Sequence, residues 1–309
     1  MHTTDPHIPV PTIAAALIDR LRQLGGLVVA FSGGVDSTVV LAGAVRAVGT
    51  DAVLAAIADS PSLARAELSA ARLLAEQIGA ELVVLRTDEQ ADPGYRANAG
   101  DRCYFCKRTV LAVVRDLARQ RGFAHVATGT HVDDWRASHR PGLRAAAELG
   151  VYEPLAEVGA TKEVVRLLAA YWNLTVQDKP STPCLASRIA VGLPVTVDRL
   201  ALVERAELAV HDYLAEHRVP VHDLRVRLLG QAGFRVELDQ AALDGVPVQA
   251  RVDLLARVAE VGVGGTGHLM CYKSGSLSHA WRGEPSSAAA SADDPAGSNG
   301  RARSPRSRC

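Results

Sequence analysis

Phe31-Ser32-Gly33-Gly34-Val35-Asp36-Ser37-Thr38 follows the apolar run Leu27-Val28-Val29-Ala30 and leads into a helix-like run, Thr38 to Val48. A buried strand that ends in Ser-Gly-Gly-x-Asp-Ser and turns into a helix makes a phosphate cradle. The glycines let successive backbone N–H groups point into one cavity, and the helix N-terminus adds partial positive charge. No Gly-Lys-Ser/Thr follows the glycines, so the loop is not a Walker A loop. A plainer reading, a tight strand-to-helix turn with polar caps, suits a bare Gly-Gly better than this full hexapeptide.

Outward from the loop, strand-like and helix-like runs alternate. A helix is expected over Thr12–Leu24, ended by Gly25-Gly26, then a strand Leu27–Phe31, a helix Ser37–Val48 and a strand Ala52–Asp59. A helix Pro61–Ile78, a strand Glu81–Thr87, a helix Tyr104–Arg121 and a strand His125–Thr130 follow, then a helix Thr161–Asn173 with Thr161 as its N-cap. Alternating β and α with near-continuous apolar strands predicts an α/β fold with a parallel sheet covered on both faces. Ligands of such sheets bind beyond the carboxyl ends of the strands, which is where the Ser-Gly-Gly loop would sit.

After Asp178 the pattern changes to a long helix Asp198–His217, two half-buried strands Leu224–Leu229 and Phe234–Leu238, a helix Pro247–Val261 and a strand His268–Lys273. This predicts a smaller α+β domain. The expected organisation is a flexible leader 1–11, a nucleotide domain 12–178, a second domain 179–283 and a disordered tail 284–309 rich in Ser, Ala, Pro, Gly and Arg.

The 309 residues are 48% hydrophobic and 22% charged, ordinary for a globular chain, and formal net charge is zero. A nucleic-acid partner is therefore not expected. No apolar run reaches the about 18 residues of a membrane span, and no basic-then-apolar leader is seen, so a cytoplasmic location without a membrane partner is the expectation.

Five cysteines is an odd count. Cys103-Tyr104-Phe105-Cys106 stands at a helix start, where the helix terminus favours thiolates. Alone it reads equally as a redox pair, half of a zinc site, two cluster ligands or two small packed hydrophobes; no second Cys-x-x-Cys exists to complete a four-cysteine zinc site. Cys184 lies in an irregular segment, Pro183-Cys184-Leu185-Ala186-Ser187-Arg188, where functional residues concentrate. Arg188 would lower the thiol pKa and help bind an anion, or simply face solvent. Thr128-Gly129-Thr130-His131-Val132-Asp133-Asp134 brings aspartates to the ligand edge of the sheet, or is a turn rich in caps. Arg225 and Arg227 share one strand face, suited to a phosphate or carboxylate, or to solvated cross-strand pairs with Glu237.

Together these segments resemble the LarE family of ATP-dependent sacrificial sulfur transferases, within the PP-loop ATP pyrophosphatases. The resemblance runs collinearly from the Ser-Gly-Gly-Val-Asp-Ser loop through Arg102-Cys103-Tyr104-Phe105-Cys106-Lys107 and Thr128 to Asp134. It continues through Arg140-Pro141-Gly142-Leu143, Glu148-Leu149-Gly150-Val151, Asp178-Lys179-Pro180 and Cys184 to Ile189, ending at Tyr272-Lys273-Ser274-Gly275-Ser276-Leu277. It implies that ATP adenylates a carboxylate of pyridinium-3,5-biscarboxylic acid mononucleotide, in nickel-pincer nucleotide biosynthesis. A sulfur nucleophile then displaces AMP to leave a thiocarboxylate.

The resemblance assigns Ser32, Gly33, Gly34, Asp36 and Ser37 to the ATP phosphates, with Asp36 on Mg2+, and puts Ser60 and Gly129 near the nucleotide. It assigns Arg188, Arg225 and Arg227 to substrate phosphate or carboxylate, with Glu237 orienting the arginine pair. Family members with one cysteine sacrifice the residue matching Cys184. Those with three bind a 4Fe-4S cluster carrying an extra sulfide, and this chain has all three, Cys103, Cys106 and Cys184. A homo-oligomer is implied, a hexamer being one candidate; the sulfide donor stays open. Departures are Ala190-Val191-Gly192-Leu193 where Pro-Tyr-Gly-Thr is frequent, Ser138-His139 for an Asp-Tyr pair, and His131 for asparagine. Cys271 and Cys309 have no role in the pattern. A PP-loop tRNA thiolase, a zinc-stabilised ligase relative and a non-catalytic nucleotide sensor are the competing readings.

Overall fold

A computed structural model describes residues 9–137 and 140–273. Most of the leader, Ser138-His139, the Ser274–Leu277 end of the family pattern and the tail with Cys309 lie outside the described residues. The chain divides into two compact units, the first up to Arg205 and the second from Ala206.

In the first unit α1 (Val10–Leu24) precedes β1 (Leu27–Ala30), α2 (Val35–Val48), β2 (Val53–Asp59), α3 (Arg65–Ile78) and β3 (Glu81–Arg86). Next come α4 (Pro93–Ala97), α5 (Arg102–Gln120), β4 (His125–Ala127), α6 (Val132–Arg136), α7 (Pro141–Glu148), α8 (Pro154–Glu157) and α9 (Lys162–Tyr171). The four strands form one parallel sheet in the order β3-β2-β1-β4. The strands alternate their side chains between two cores. Leu27, Val29, Val53, Ala55 and Ile57 pack in one core with residues of α1, α2, α3 and α9; Val28, Leu54, Ala56 and Val126 pack in the other with residues of α5 and Ala146. This is the predicted α/β architecture with both sheet faces covered.

The chain steps outward from β1 to β2 to β3, then returns to pair β4 on the other side of β1. The switch point therefore lies between β1 and β4, and the loops that leave those two strands face one crevice. The short helices α4, α6, α7 and α8 are absent from the periodic pattern; at eight residues or fewer they are set by tertiary contacts, not by propensity. Residues 184–195, read from sequence as part of the second domain, attach to the first unit: Leu185 N–H donates to Ser62 O at 2.9 Å, and Val195 N–H to Arg96 O at 2.9 Å. The long helix α10 (Val197–Glu216) contains the division between the units.

The second unit has a three-stranded mixed sheet, β5 (Leu224–Leu228), β6 (Phe234–Leu238) and β7 (Gly267–Cys271), with β5 and β6 antiparallel and β6 and β7 parallel. Between β6 and β7 lie α11 (Gln240–Gly245) and α12 (Val248–Glu260). Val226, Phe234, Val236 and Leu238 are buried on one sheet face, and Leu254 and Val258 of α12 are buried too. The other face carries Arg225, Arg227, Arg235 and Glu237.

Candidate active site

The β1–α2 loop is a built cradle. Gly33 holds φ +69°, and a Cβ there would meet Ala71 Cβ of α3 at 3.0 Å, so the left-handed turn and the close neighbour both require glycine. Ser37 Oγ closes the loop on itself. It accepts from Ser32 N–H at 3.2 Å, lies 3.1 Å from Ser32 Oγ and donates to Gly34 O at 3.1 Å. Gly34 N–H donates to Ser32 Oγ at 3.3 Å, and Thr38 Oγ1 donates to Gly34 O at 2.8 Å.

The loop after β4 abuts this cradle. A Cβ on Gly129 would stand 2.5 Å from Ser37 N and 2.7 Å from Asp36 C, so the approach is open only to glycine. Two lysines complete the surroundings. Lys162 Nζ, at the start of α9, donates to both Asp36 oxygens at 2.6 and 2.7 Å, and its backbone N–H donates to Asp133 Oδ2 at 2.7 Å. Lys179 Nζ donates to Gly33 O at 3.1 Å and Glu67 Oε2 at 2.7 Å. The sequence pattern marks Lys179 only as part of a motif and Lys162 not at all. The Thr161 cap, with Thr161 Oγ1 accepting from Val164 N–H at 3.4 Å, is the signal that sets where α9 begins and hence where Lys162 stands.

A cavity of about 420 Å³ opens beside the cradle, of a size suited to a small-molecule ligand. Ser32, Asp36, Ser37, Ser60, Thr128 and Gly129 line it, and so do Cys106, Lys107 and Cys184. Gly33, Gly34, Cys103 and Arg188 are not in its wall. Cys106 and Cys184 thus share a cavity with the phosphate loop, and Cys103 lies near enough to couple electrostatically with both.

Burial pushes the half-buried Cys106 thiol well up, reinforced by Cys184, the buried Glu89 carboxylate and Cys103, against the pull of Arg102. Cys103 also shifts up by desolvation, with Arg102 opposing; its residue surface is exposed, so its sulfur sits in a recess and the effect counts for less than at Cys106. The helix start, expected to favour thiolates, is outweighed by burial at both positions. Burial likewise lowers the Lys107 ammonium, partly offset by Glu153 and Asp134.

Arg188 is 2% exposed and serves the Cys184 segment itself. Its Nη1 donates to Pro183 O, to Cys184 O at 3.3 Å and to Ser187 Oγ at 3.2 Å. In the second unit Arg225 and Arg227 are buried, as is Glu237. Glu237 clamps Arg227 at 2.8 Å and Arg235 at 2.7 Å, while Arg225 lies 3.6 Å from Asp223 and over the Tyr272 ring. The paired-arginine face is real, but it is neither solvated nor held by Glu237 alone, and Arg235 is a third member that the sequence pattern does not mark. Among the described residues no three His, Cys, Asp or Glu side chains converge on a single metal ion.

Comparison with known proteins places this geometry. The NAD synthase family matches residues 13–99, which hold the cradle and the first three strands. An uncharacterized protein of Synechocystis is 41% identical over 68% of this chain and 77% of its own length. The pyridinium-3,5-bisthiocarboxylic acid mononucleotide synthase of Lactiplantibacillus plantarum is 34% identical over 75% of this chain and 81% of its own. The chain belongs to the LarE family. As a LarE protein it is an ATP-using sulfurtransferase on a PP-loop fold. A glutamine-hydrolyzing GMP synthase of Methanococcus maripaludis is also similar, at 28% identity over 65% of this chain and 69% of its own. No helix among the described residues of this LarE protein is long and apolar enough to cross a membrane.

Proposed function

We propose that this protein adenylates a carboxylate of pyridinium-3,5-biscarboxylic acid mononucleotide and converts it to a thiocarboxylate. The observation that carries the reading is the cavity shared by the phosphate loop and two cysteines. A carboxylate oxygen of the substrate attacks the α-phosphorus of ATP and the bond to pyrophosphate breaks. Sulfur then attacks the acyl carbon and the carbon–oxygen bond to AMP breaks, so AMP leaves in place of a far poorer hydroxide. The cradle N–H groups, with Lys162 beside them, oppose the charge that grows on departing pyrophosphate. Asp36 is the carboxylate suited to Mg2+, and Ser60 and Gly129 border the nucleotide. Arg225 and Arg227, steadied by Glu237, suit the substrate's phosphate or carboxylate within their own unit.

The electrostatic coupling of Cys103, Cys106 and Cys184 with one another fits a 4Fe-4S cluster held by three soft thiolates, whose sulfurs stand further apart than around one ion. Such a cluster, when bound, would present an extra sulfide for transfer. The protein's own part is to hold the three sulfurs, keep water from the acyl-adenylate and aim its carbon at the sulfur. A second reading draws on Cys184 being exposed and in the cavity wall. There the Cys184 thiolate forms the thioester itself, and loss of the Cα proton with cleavage of Cβ–S yields thiocarboxylate and dehydroalanine.

Anaerobic purification with iron, sulfide and absorbance analysis separates the two. The cluster reading expects iron in the wild type and its loss in Cys103→Ala and Cys184→Ala. Iron-free wild type, with Cys184 lighter by one H2S after turnover, establishes the sacrificial route. Absence of substrate-dependent pyrophosphate overturns the adenylation itself.

A further inference from the structure

The turn between α4 and α5 is bonded to the Cys184 segment through one asparagine and one arginine. Asn98 caps α4 in the left-handed region, at φ +51°, and is 1% exposed. Its Nδ2 donates to Ala190 O at 2.8 Å, Leu193 O at 3.0 Å and, weakly, Ile189 O at 3.4 Å. Its own carbonyl accepts from Gly192 N–H at 2.9 Å. Its Oδ1 accepts from Arg102 Nη1 at 2.7 Å, and the same Nη1 donates to Ala186 O at 2.9 Å. The Arg102 guanidinium also hydrogen-bonds the adjacent Cys103 sulfur. A continuous path of bonds thus runs from Cys103 through Arg102 to the carbonyl two residues beyond Cys184, and through Asn98 to residues 189–193.

Residues 179–196 contain no strand and only the 3-10 turn Leu185–Arg188. With no ladder to align it, the segment takes its register from side chains. A left-handed cap needs only a glycine or a bare asparagine. Here the amide is buried and spends both N–H groups on the one stretch that follows Cys184, which capping does not require.

We infer that Asn98 and Arg102 are positioning residues that set the Cys184 segment in register with Cys103 and Cys106, so that the three sulfurs face one another. The inference rests on the reading of these cysteines as the sulfur-delivering set and names what fixes their spacing. The planar guanidinium matters as well as its charge, because an ammonium cannot hold Asn98 and Ala186 in one fixed fork.

The test uses the metal-free full chain and dibromobimane, which fluoresces on bridging two thiols. In a Cys106→Ala background, the Cys103–Cys184 bridge is quantified by peptide mass. Asn98→Gly keeps the left-handed backbone comfortable while removing the amide, and Arg102→Lys keeps the charge while removing the fork. Both are expected to lower bridge yield about 10-fold, since small misplacements of reacting groups have effects of that order or larger. Iron content after anaerobic reconstitution should fall with it in the chain that has all three cysteines. Wild-type bridging and iron content in Asn98→Gly and Arg102→Lys would overturn the inference, as would absence of the bridge in the parent chain. Retention in Arg102→Lys with loss only in Arg102→Met would also overturn it, in favour of charge alone. If Asn98→Gly does not fold, Arg102→Lys decides. A parent chain that bridges but takes up no iron leaves the positioning role standing and removes the cluster.

Discussion

The phosphate cradle and the Cys184 segment line one cavity but are held there in different ways. The cradle is the end of a buried strand, and its geometry comes from backbone: a left-handed glycine, Ser37 bonded back to Ser32 and Gly34, and a core of Val29, Val39 and Val40 beneath. Its dependence on distant sequence is largely that atoms be absent, as at Gly129. The Cys184 segment has no such frame. It is held by groups that must be present: Ser62 O on Leu185 N–H, Asn98, Arg102 and its own Arg188. A site that activates one molecule and delivers sulfur to it thus joins a preorganised half to an assembled half.

The largest effect is expected where an added atom enters the cradle. Gly129→Ala puts a methyl carbon against backbone atoms of Asp36 and Ser37, which cannot swing aside as a flexible side chain would. Displacing that loop by a fraction of an ångström should lower pyrophosphate release about 100-fold, equal to about 3 kcal/mol. A variant with wild-type turnover would mean that the cradle adapts as readily as the segment does, and the contrast would collapse.

The assembled half is tested by Arg188→Ala. Loss of a buried guanidinium that donates to two carbonyls and a hydroxyl should loosen the segment by about 2 kcal/mol, the range of hydrogen bonds to charged groups. Hydrogen exchange should show faster opening at the Leu185 amide and unchanged protection in β1 and β2. Unchanged Leu185 exchange with a raised KM would instead assign Arg188 to substrate, as the family resemblance implies.

The same contrast explains what is legible in the sequence. The cradle is one contiguous octapeptide with strand and helix periodicity on either side, so its fold and its phosphate chemistry can be read locally. The β-α alternation and the change of pattern after Asp178 are visible for the same reason. Residues whose work depends on long-range contact give no such signal. Lys162 looks like any first-turn lysine until α9 is laid beside α2. Asn98 looks like an ordinary turn residue until residues 189–193 fold over it. Arg188 reads from sequence as a group for an anion, and its position in a loop gives no sign that its nearest anion-like partners are the carbonyls of that loop.

Lys162 is where the cradle departs from its own rule, because it supplies a group that must be present. Lys162→Met leaves Asp36 without its cation and removes positive charge beside the phosphates. The pair is partly exposed, at 34% and 28%, so its contribution to stability is within about 1 kcal/mol. ATP affinity should nevertheless fall about 10-fold, or about 1.4 kcal/mol, because a charge-assisted contact to phosphate is lost. Isothermal titration with ATP and Mg2+ beside a thermal melt separates the two quantities. A melt that drops sharply while affinity holds would make Lys162 a structural clamp and return the cradle to pure backbone control.

The smallest expected effect probes how Lys162 is aimed. Thr161 caps α9 through a 3.4 Å bond to Val164 N–H, at the long end for such a contact, and Asp133 separately accepts from Lys162 N–H at 2.7 Å. The helix start is thus held twice, once from inside α9 and once from the loop after β4. Thr161→Ala removes the weaker hold, and a cap of this length should be worth about 0.5 kcal/mol. With Asp133 still in place the Lys162 ammonium keeps its reach to Asp36, so ATP affinity should change less than about 2-fold, in line with a loss of about 0.5 kcal/mol. Combining Thr161→Ala with Asp133→Asn should then exceed the sum of the single effects, because each anchor covers for the other. Strict additivity in that double-mutant cycle would show that the two anchors act independently. The lysine would then be aimed by the body of α9 packed against α2, and the cradle would owe its cation to the same core that gives it its backbone.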